Sequence, residues 1–264
     1  MCIYPHSARG ALTYDNKAHI ITQGLGWNQN TFPPGVLCDR CNSYFGHTLE
    51  PALIMHPGLA ADMQRLGVPG KDGIPRQAIA NWVRKDDGSY GAPFMSPEAG
   101  GLYNGEPLIV TKGLMDGRFD QLRFRRGLHM LAFHVLAHLH LSRQVPDPFF
   151  DPKHSRYNQV RTYIRAPKSL REGWPFVERF DPPPSGGQMA VHLFPPDHGL
   201  VGRIRAFRYE FYVDLLNTGN LLAWTWKQGL DKVRLIDADY EYPACNREKE
   251  VPPEKSGWLG FRNG

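Results

Sequence analysis

Cys38-Asp39-Arg40-Cys41-Asn42, preceded about twenty residues earlier by Lys17-Ala18-His19-Ile20-Ile21, is the stretch on which the fold turns. A Cys-x2-Cys pair makes a tight knuckle that can hold a soft metal through two thiolates. Upstream, Asp15-Asn16 supplies turn chemistry, and His19-Ile20-Ile21 continues as a short run of strand formers. Gly24 and Gly26 loosen the backbone, and Phe32-Pro33-Pro34-Gly35 turns the chain into Val36-Leu37 and the knuckle. From Ser43 to about Met55, the residues Tyr44, Phe45, Leu49, Ala52, Leu53 and Met55 fall near helical spacing, with Pro51 imposing a break or a new first turn. Strand, loop, strand and helix within residues 1–57 make a ββα element.

Residues 58–118 read as a connecting region. Leu59 to Leu66 has the pattern of a helical turn or two, Gln77 to Arg84 and Leu108 to Thr111 have strand character, and Asp87 to Pro107 is a Gly- and Pro-rich loop. Residues 119–264 read as an α+β domain. Asp120 to about Arg143 is the clearest helix, with Asp120 as N-cap or first-turn acid and apolar residues spread round the cylinder, as a buried central helix requires. Asp151 to Arg165 predicts a second helix, and Asp181 to Gly187 a loop. Met189–Phe194, Val201–Ala206, Tyr209–Val213, Leu221–Trp226 and Val233–Ile236 predict an antiparallel meander, with turns at Asn217-Thr-Gly219 and Lys227-Gln-Gly229. The fold class is therefore α+β, ending in a polar, Pro-rich tail from Glu241.

The chain has 264 residues and a formal net charge of +5, carried by 21 Arg and 10 Lys. Arg is the cation whose planar fork suits phosphate, so the balance gives weak support to a polyanionic partner. The four cysteines include one Cys-x2-Cys, and residues 1 to 10 hold no apolar signal-like run. A secreted disulfide framework is thus disfavoured, and a reducing cytoplasm is expected. The most apolar helical stretch is broken by four histidines, so no membrane association is expected.

The ordered set His19-Ile20-Ile21, Gly24-x-Gly26, Asn28 and Asn30, Cys38-x2-Cys41-Asn42 and Tyr44-Phe45-Gly46 resembles the HNH endonucleases. The likeness is to the subgroup whose ββα-metal core is stapled by cysteine-ligated zinc, and it covers about the first fifty residues. It implies metal-dependent hydrolysis of DNA phosphodiester bonds. By position it makes His19 the general base, which suits an imidazole that can titrate near working pH. It makes Asn42 a ligand of a catalytic Mg²⁺ or Mn²⁺, and Asn30, or less favourably Asn28, the residue orienting the imidazole. It also implies a structural Zn²⁺.

Two residues depart from the family pattern. Where a second cysteine of a first knuckle would fall stands Pro5, which binds no metal. His6 lies next to it, and Cys2-x3-His6 has a spacing zinc sites use, giving Cys2, His6, Cys38 and Cys41 as ligands. The alternative is a decayed site with Cys2 a free thiol and His6 a surface residue. Where an acidic or histidine metal ligand would precede His19 stands Ala18. Three explanations stand open: an introduced inactivating substitution, a naturally degenerate nuclease that still binds nucleic acid, or a replacement acid such as Asp15, Asp39 or Glu50.

Arg123, Arg125 and Arg126 with Arg161 and Arg165 are candidates for a phosphate-facing surface, Arg161 and Arg165 sharing a helix face at i and i+4. The bland reading is a solvated charged face. His134-x3-His138 has metal-like spacing but lacks the zincin glutamate, which favours core or boundary histidines. DNA is the partner implied, and a homodimer is compatible with a sequence that leaves oligomeric state open. The rival class is a non-catalytic zinc module that binds nucleic acid or protein.

Overall fold

The computed structural model describes residues 2–6, 11–25, 30–56, 59–60, 62–63, 68, 83–84, 90–91, 102–103, 106–107, 120–144, 148–165, 174–179, 189–194, 200–207, 209–230 and 233–236. Asn28, the expected strand Leu108–Thr111, the loop 181–187 and the tail from Glu241 lie outside them.

The N-terminal hairpin is shorter than the sequence predicts. It is a single antiparallel bridge, His19 to Thr31, flanked by bonds from Ile20 N to Asn30 O (3.0 Å) and from Phe32 N to Ala18 O (2.8 Å). Two helices follow, α1 (Asp39–Thr48) and α2 (Glu50–Ile54). The break at Pro51 therefore falls where expected, because proline sits without cost in the first turn of a new helix. Val83–Arg84, at the end of the run read as strand-like, is β1 and pairs antiparallel with β2 (Tyr90–Gly91); β2 and the pair β3 (Leu102–Tyr103) with β4 (Glu106–Pro107) lie within the expected loop.

Helix α3 (Gln121–Leu141) starts on Asp120, whose carboxylate accepts from Arg123 N at 2.9 Å and satisfies an orphan donor of the first turn. It is buried almost continuously from Phe124 to Ala137. On one side Gly127 lets α2 approach: a Cβ there would lie 2.8 Å from Leu53 Cγ. On the other, a Cβ at Gly202 would lie 2.6 Å from Ala132 Cβ, so the sheet rests directly on the helix. The expected second helix is a 3-10 turn, Ser155–Tyr157, running into α4 (Asn158–Arg165).

The sheet is five-stranded and wholly antiparallel, in the order β6 (Ala190–Phe194), β7 (Val201–Ala206), β8 (Tyr209–Asp214), β5 (Phe176–Arg179), β9 (Val233–Ile236). It departs from the expected meander in two ways. Phe176–Arg179, not read as a strand, is inserted between β8 and β9. Leu221–Trp226 is not a strand but helix α5 (Leu221–Lys227). In Leu-Leu-Ala-Trp-Thr-Trp apolar residues occupy both parities, so a period of two is not distinguished from 3.6, and Leu and Ala favour helix. The Lys227-Gln-Gly229 turn is accordingly a helix stop. Gly229 has φ +67, with Leu230 N bonded to Thr225 O (3.2 Å) and Gly229 N to Trp226 O (2.9 Å).

One apolar core runs from Cys2 and Tyr4 through α1 to α3 and on to Phe211 and Ile236. A smaller cluster of Val177, Val201, Tyr212 and Leu221 fills the outer sheet face beneath α5. The model is thus mixed helix and antiparallel sheet. No helix among the described residues is long and apolar enough to cross a membrane.

Candidate metal centre

Cys2, His6, Cys38 and Cys41 converge, with one donor atom from each and all four within 4.8 Å of one another. Cys38 immediately precedes α1 and Cys41 lies in its first turn, so the knuckle is a helix start. The Cys2–His6 segment is brought alongside by the bond from Ile3 N to Val36 O (2.9 Å).

The spacing can be tested against zinc chemistry. A tetrahedron with Zn–S bonds near 2.3 Å has S–S edges of about 3.8 Å and S–N edges of about 3.6 Å. Cys2 Sγ lies 3.9 Å from Cys41 Sγ, and His6 Nε2 lies 3.5 Å from Cys41 Sγ and 3.2 Å from Cys38 Sγ. The three cysteines are free thiols and buried. This donor set fits a structural zinc, with three sulfurs and the Nε2 of one imidazole.

Three thiols this close share charge poorly. The hydrogen bond with Cys41 draws Cys2 down to about 4, and the same contact, with burial, pushes Cys41 up. Burial first of all raises Cys38. A bound dication removes the conflict, because thiolates are its ligands and metal binding releases their protons.

The residues expected around a second, catalytic cation are arranged differently. Asn42 Nδ2 donates to Lys17 O at 3.1 Å, tying the first turn of α1 to the strand that carries His19. His19 is half-buried, and its Nδ1 has no hydrogen-bond partner among the described residues. Asn30 is exposed, and it is its backbone carbonyl that takes part in the hairpin, through Ile20 N; an orienting bond from Asn30 to Nδ1 is not formed. Ala18 is 4 % exposed and belongs to the core with Ile20 and Phe32, so strand alternation turns its methyl away from His19.

Asp39, one possible replacement acid, is already engaged. Its two oxygens accept from Asp15 N (3.0 Å) and Asn16 N (2.9 Å), and hydrogen bonds from Thr13, Asn16 and Asp15 hold its carboxyl down at about 2. Among the described residues the Cys/His cluster is the one group of three or more Cys, His, Asp or Glu side chains that could hold a metal. The donors at His19 therefore do not fit Mg²⁺, which calls for carboxylates.

The arginines also take other places. Arg125, Arg126 and Arg161 are buried, and Arg123 is ion-paired with Asp120 at 3.1 Å. Arg126 donates to Tyr163 O (3.1 Å), to Ile164 O (2.7 Å) and to the Tyr44 hydroxyl, so it caps the last turn of α4 and joins it to α1. Arg161 donates to Ile3 O at 3.2 Å, and Arg165 to Pro5 O. The five do not make one exposed cationic face.

His134, expected in the core or at its boundary, is a core histidine. It is 2 % exposed, with Tyr4, Phe32 and Phe45 edge-on to its ring at 5.9, 5.2 and 5.5 Å. Burial holds it neutral, down at about 3, against a hydrogen bond to the backbone of Ile20. It thus plugs α3 into the N-terminal hairpin, a role that helical spacing alone does not reveal. Compared with family models, curated proteins and solved structures, the chain matches none.

Proposed function

We propose that residues 1–57 are a zinc-stapled scaffold of the HNH endonuclease type, directed at DNA, in which His19 is the general base and the catalytic cation site has lost its acid at Ala18. The observation that carries this reading is the bond from Asn42 to Lys17 O, 3.1 Å, which sets the residue behind the knuckle against the strand bearing His19. The zinc-fitting donors beside it supply the staple such a scaffold needs. The Nδ1 of half-buried His19 is shut off from solvent, so Nε2 is the nitrogen that would take a proton from water once a cation charges the phosphate. A methyl and a neutral amide hold Mg²⁺ or Mn²⁺ poorly, so the chain as it stands is expected to be silent.

A second reading, a non-catalytic zinc module that binds nucleic acid or protein, is favoured by one fact: Ala18 packs into the core rather than beside His19. Plasmid nicking with Mg²⁺ or Mn²⁺ separates the two. Activity appearing in Ala18→Glu and vanishing in Ala18→Glu/His19→Ala supports the nuclease. If Ala18→Glu folds, retains zinc and stays silent with either cation, the non-catalytic reading replaces it.

A further inference from the structure

Helix α4 reaches back across the molecule to the N-terminal ligand segment, Cys2–His6. Arg161 and Arg165, one turn apart, donate to Ile3 O and Pro5 O, the carbonyls on either side of Tyr4. Those carbonyls lie between Cys2 and His6, the two ligands that come from outside the knuckle. The helix is itself anchored at its last turn, beside Arg165, by Arg126 from α3, bonded to Tyr163 O and Ile164 O. Arg165 is also near enough to Cys41 for its charge to favour that thiolate.

We propose that Arg161 and Arg165 belong to the metal centre, fixing the Cys2–His6 segment from behind and offsetting the charge of the ligand set. Two physical reasons support it. Three thiolates and a neutral imidazole on Zn²⁺ carry a net negative charge, and burying that charge is costly without a nearby cation. Ile3 and Tyr4 bury their side chains in the core, and Ile3 N bonds Val36 O. The two guanidiniums on α4 add bonds to the carbonyls of Ile3 and Pro5, which fix the backbone path from Cys2 to His6. Groups in that position beside zinc ligands typically change metal affinity by about tenfold to a hundredfold.

The proposal rests on the metal-centre reading, and the experiment distinguishes the two. Zinc affinity is measured on the full chain by competition with a chromophoric chelator, and Co²⁺ spectra report the thiolate environment. Wild type, Arg165→Gln, Arg165→Lys and Arg161→Gln are compared, with circular dichroism as the check on folding. Arg165 is the primary position, because its bond is exposed and its loss spares the core. Arg165→Gln is expected to weaken zinc about tenfold and shift the thiolate-to-cobalt band, with Lys restoring part of both. Arg165→Gln that folds and binds zinc within about twofold of wild type overturns the proposal while leaving the centre standing; the same variant losing only DNA binding returns Arg165 to a phosphate surface. Wild-type protein that takes up no zinc overturns the centre itself.

Discussion

Between Cys2 and Leu37 the described backbone makes one ladder contact, the His19–Thr31 bridge, whereas β7 and β8 alone are in register over six residue pairs, from Val201–Asp214 to Ala206–Tyr209. The sheet end is also packed on both faces, against α3 on one and α5 on the other. The N-terminal end has Tyr4, Ile20, Phe32 and Phe45 in the core, but its segments are joined by scattered bonds, such as Ile3 N to Val36 O and Asp39 N to Thr13 O, and by four donor atoms that could hold a metal. The difference teaches where each half obtains its cooperativity. A sheet on a buried helix is stabilised by area and by satisfied ladders. A short hairpin and a knuckle need a cross-link, because too few residues are fixed by each hydrogen bond they make.

The largest expected effect lies at the cross-link. With zinc in the proposed centre, chelating it or replacing Cys38 by Ser should release residues 2–6 and 30–56 while the sheet persists. Structural zinc contributes on the order of 10 kcal/mol of binding free energy to folds that need it, so the loss should dominate any single side-chain change. Hydrogen exchange read segment by segment checks this. Rapid exchange in α1 with protection retained in β7 and β8 is the expected pattern. Uniform protection with and without chelator would remove the contrast.

A smaller effect should appear at the sheet end, and without touching the metal. Gly202→Ala places a methyl where Ala132 Cβ already lies, at 2.6 Å, and neither atom has a rotamer to yield. Overpacking of this kind costs about 1–3 kcal/mol, readable as a lower urea midpoint with zinc stoichiometry unchanged.

A third effect is graded with pH, smallest near neutrality, and it links the two ends through α3. Burial holds His134 at about 3 and His129 at about 4, both below the free imidazole value of 6.5. The folded state therefore binds fewer protons than the unfolded one between those limits. The stability they support is complete above pH 6.5 and is lost as pH falls towards 4 and then 3. Each contributes a slope of about 1.4 kcal/mol per pH unit in that window. His134→Phe should flatten the acid limb of a urea-midpoint profile, since a ring of similar size keeps the contacts with Tyr4, Phe32 and Phe45. An unchanged limb would mean that His134 is not buried neutral.

Much of this architecture was legible in the chain. Asp120 announces α3 because an acid that accepts from its own first turn is a local signal, and β7 follows from alternation that puts Arg203 and Arg205 on the outer face. The grouping of Cys2 and His6 with Cys38 and Cys41 was reachable through the family resemblance, with the Cys2-x3-His6 spacing supplying the ligand that Pro5 lacks. Other features were not. Phe176–Arg179 is short, and nothing local says that it enters the sheet between strands that come later. Leu221–Lys227 is apolar at both parities, so its period is silent.

The arginines show the limit most clearly. Arg161 and Arg165 share a helix face, as their i, i+4 spacing requires, and so much belonged to the sequence. That the face meets Ile3 and Pro5 rather than solvent was decided by how α4 folds back on the N-terminus, more than 150 residues away. The same holds for Ala18 and His19, neighbours in the chain whose environments differ because the hairpin sets one against the core. Sequence determined which residues carry donors, caps and strand faces, since those depend on local chemistry. Tertiary structure decided what each charged or aromatic side chain meets, since a guanidinium serves a carbonyl or a phosphate equally well until the fold brings one of them within reach.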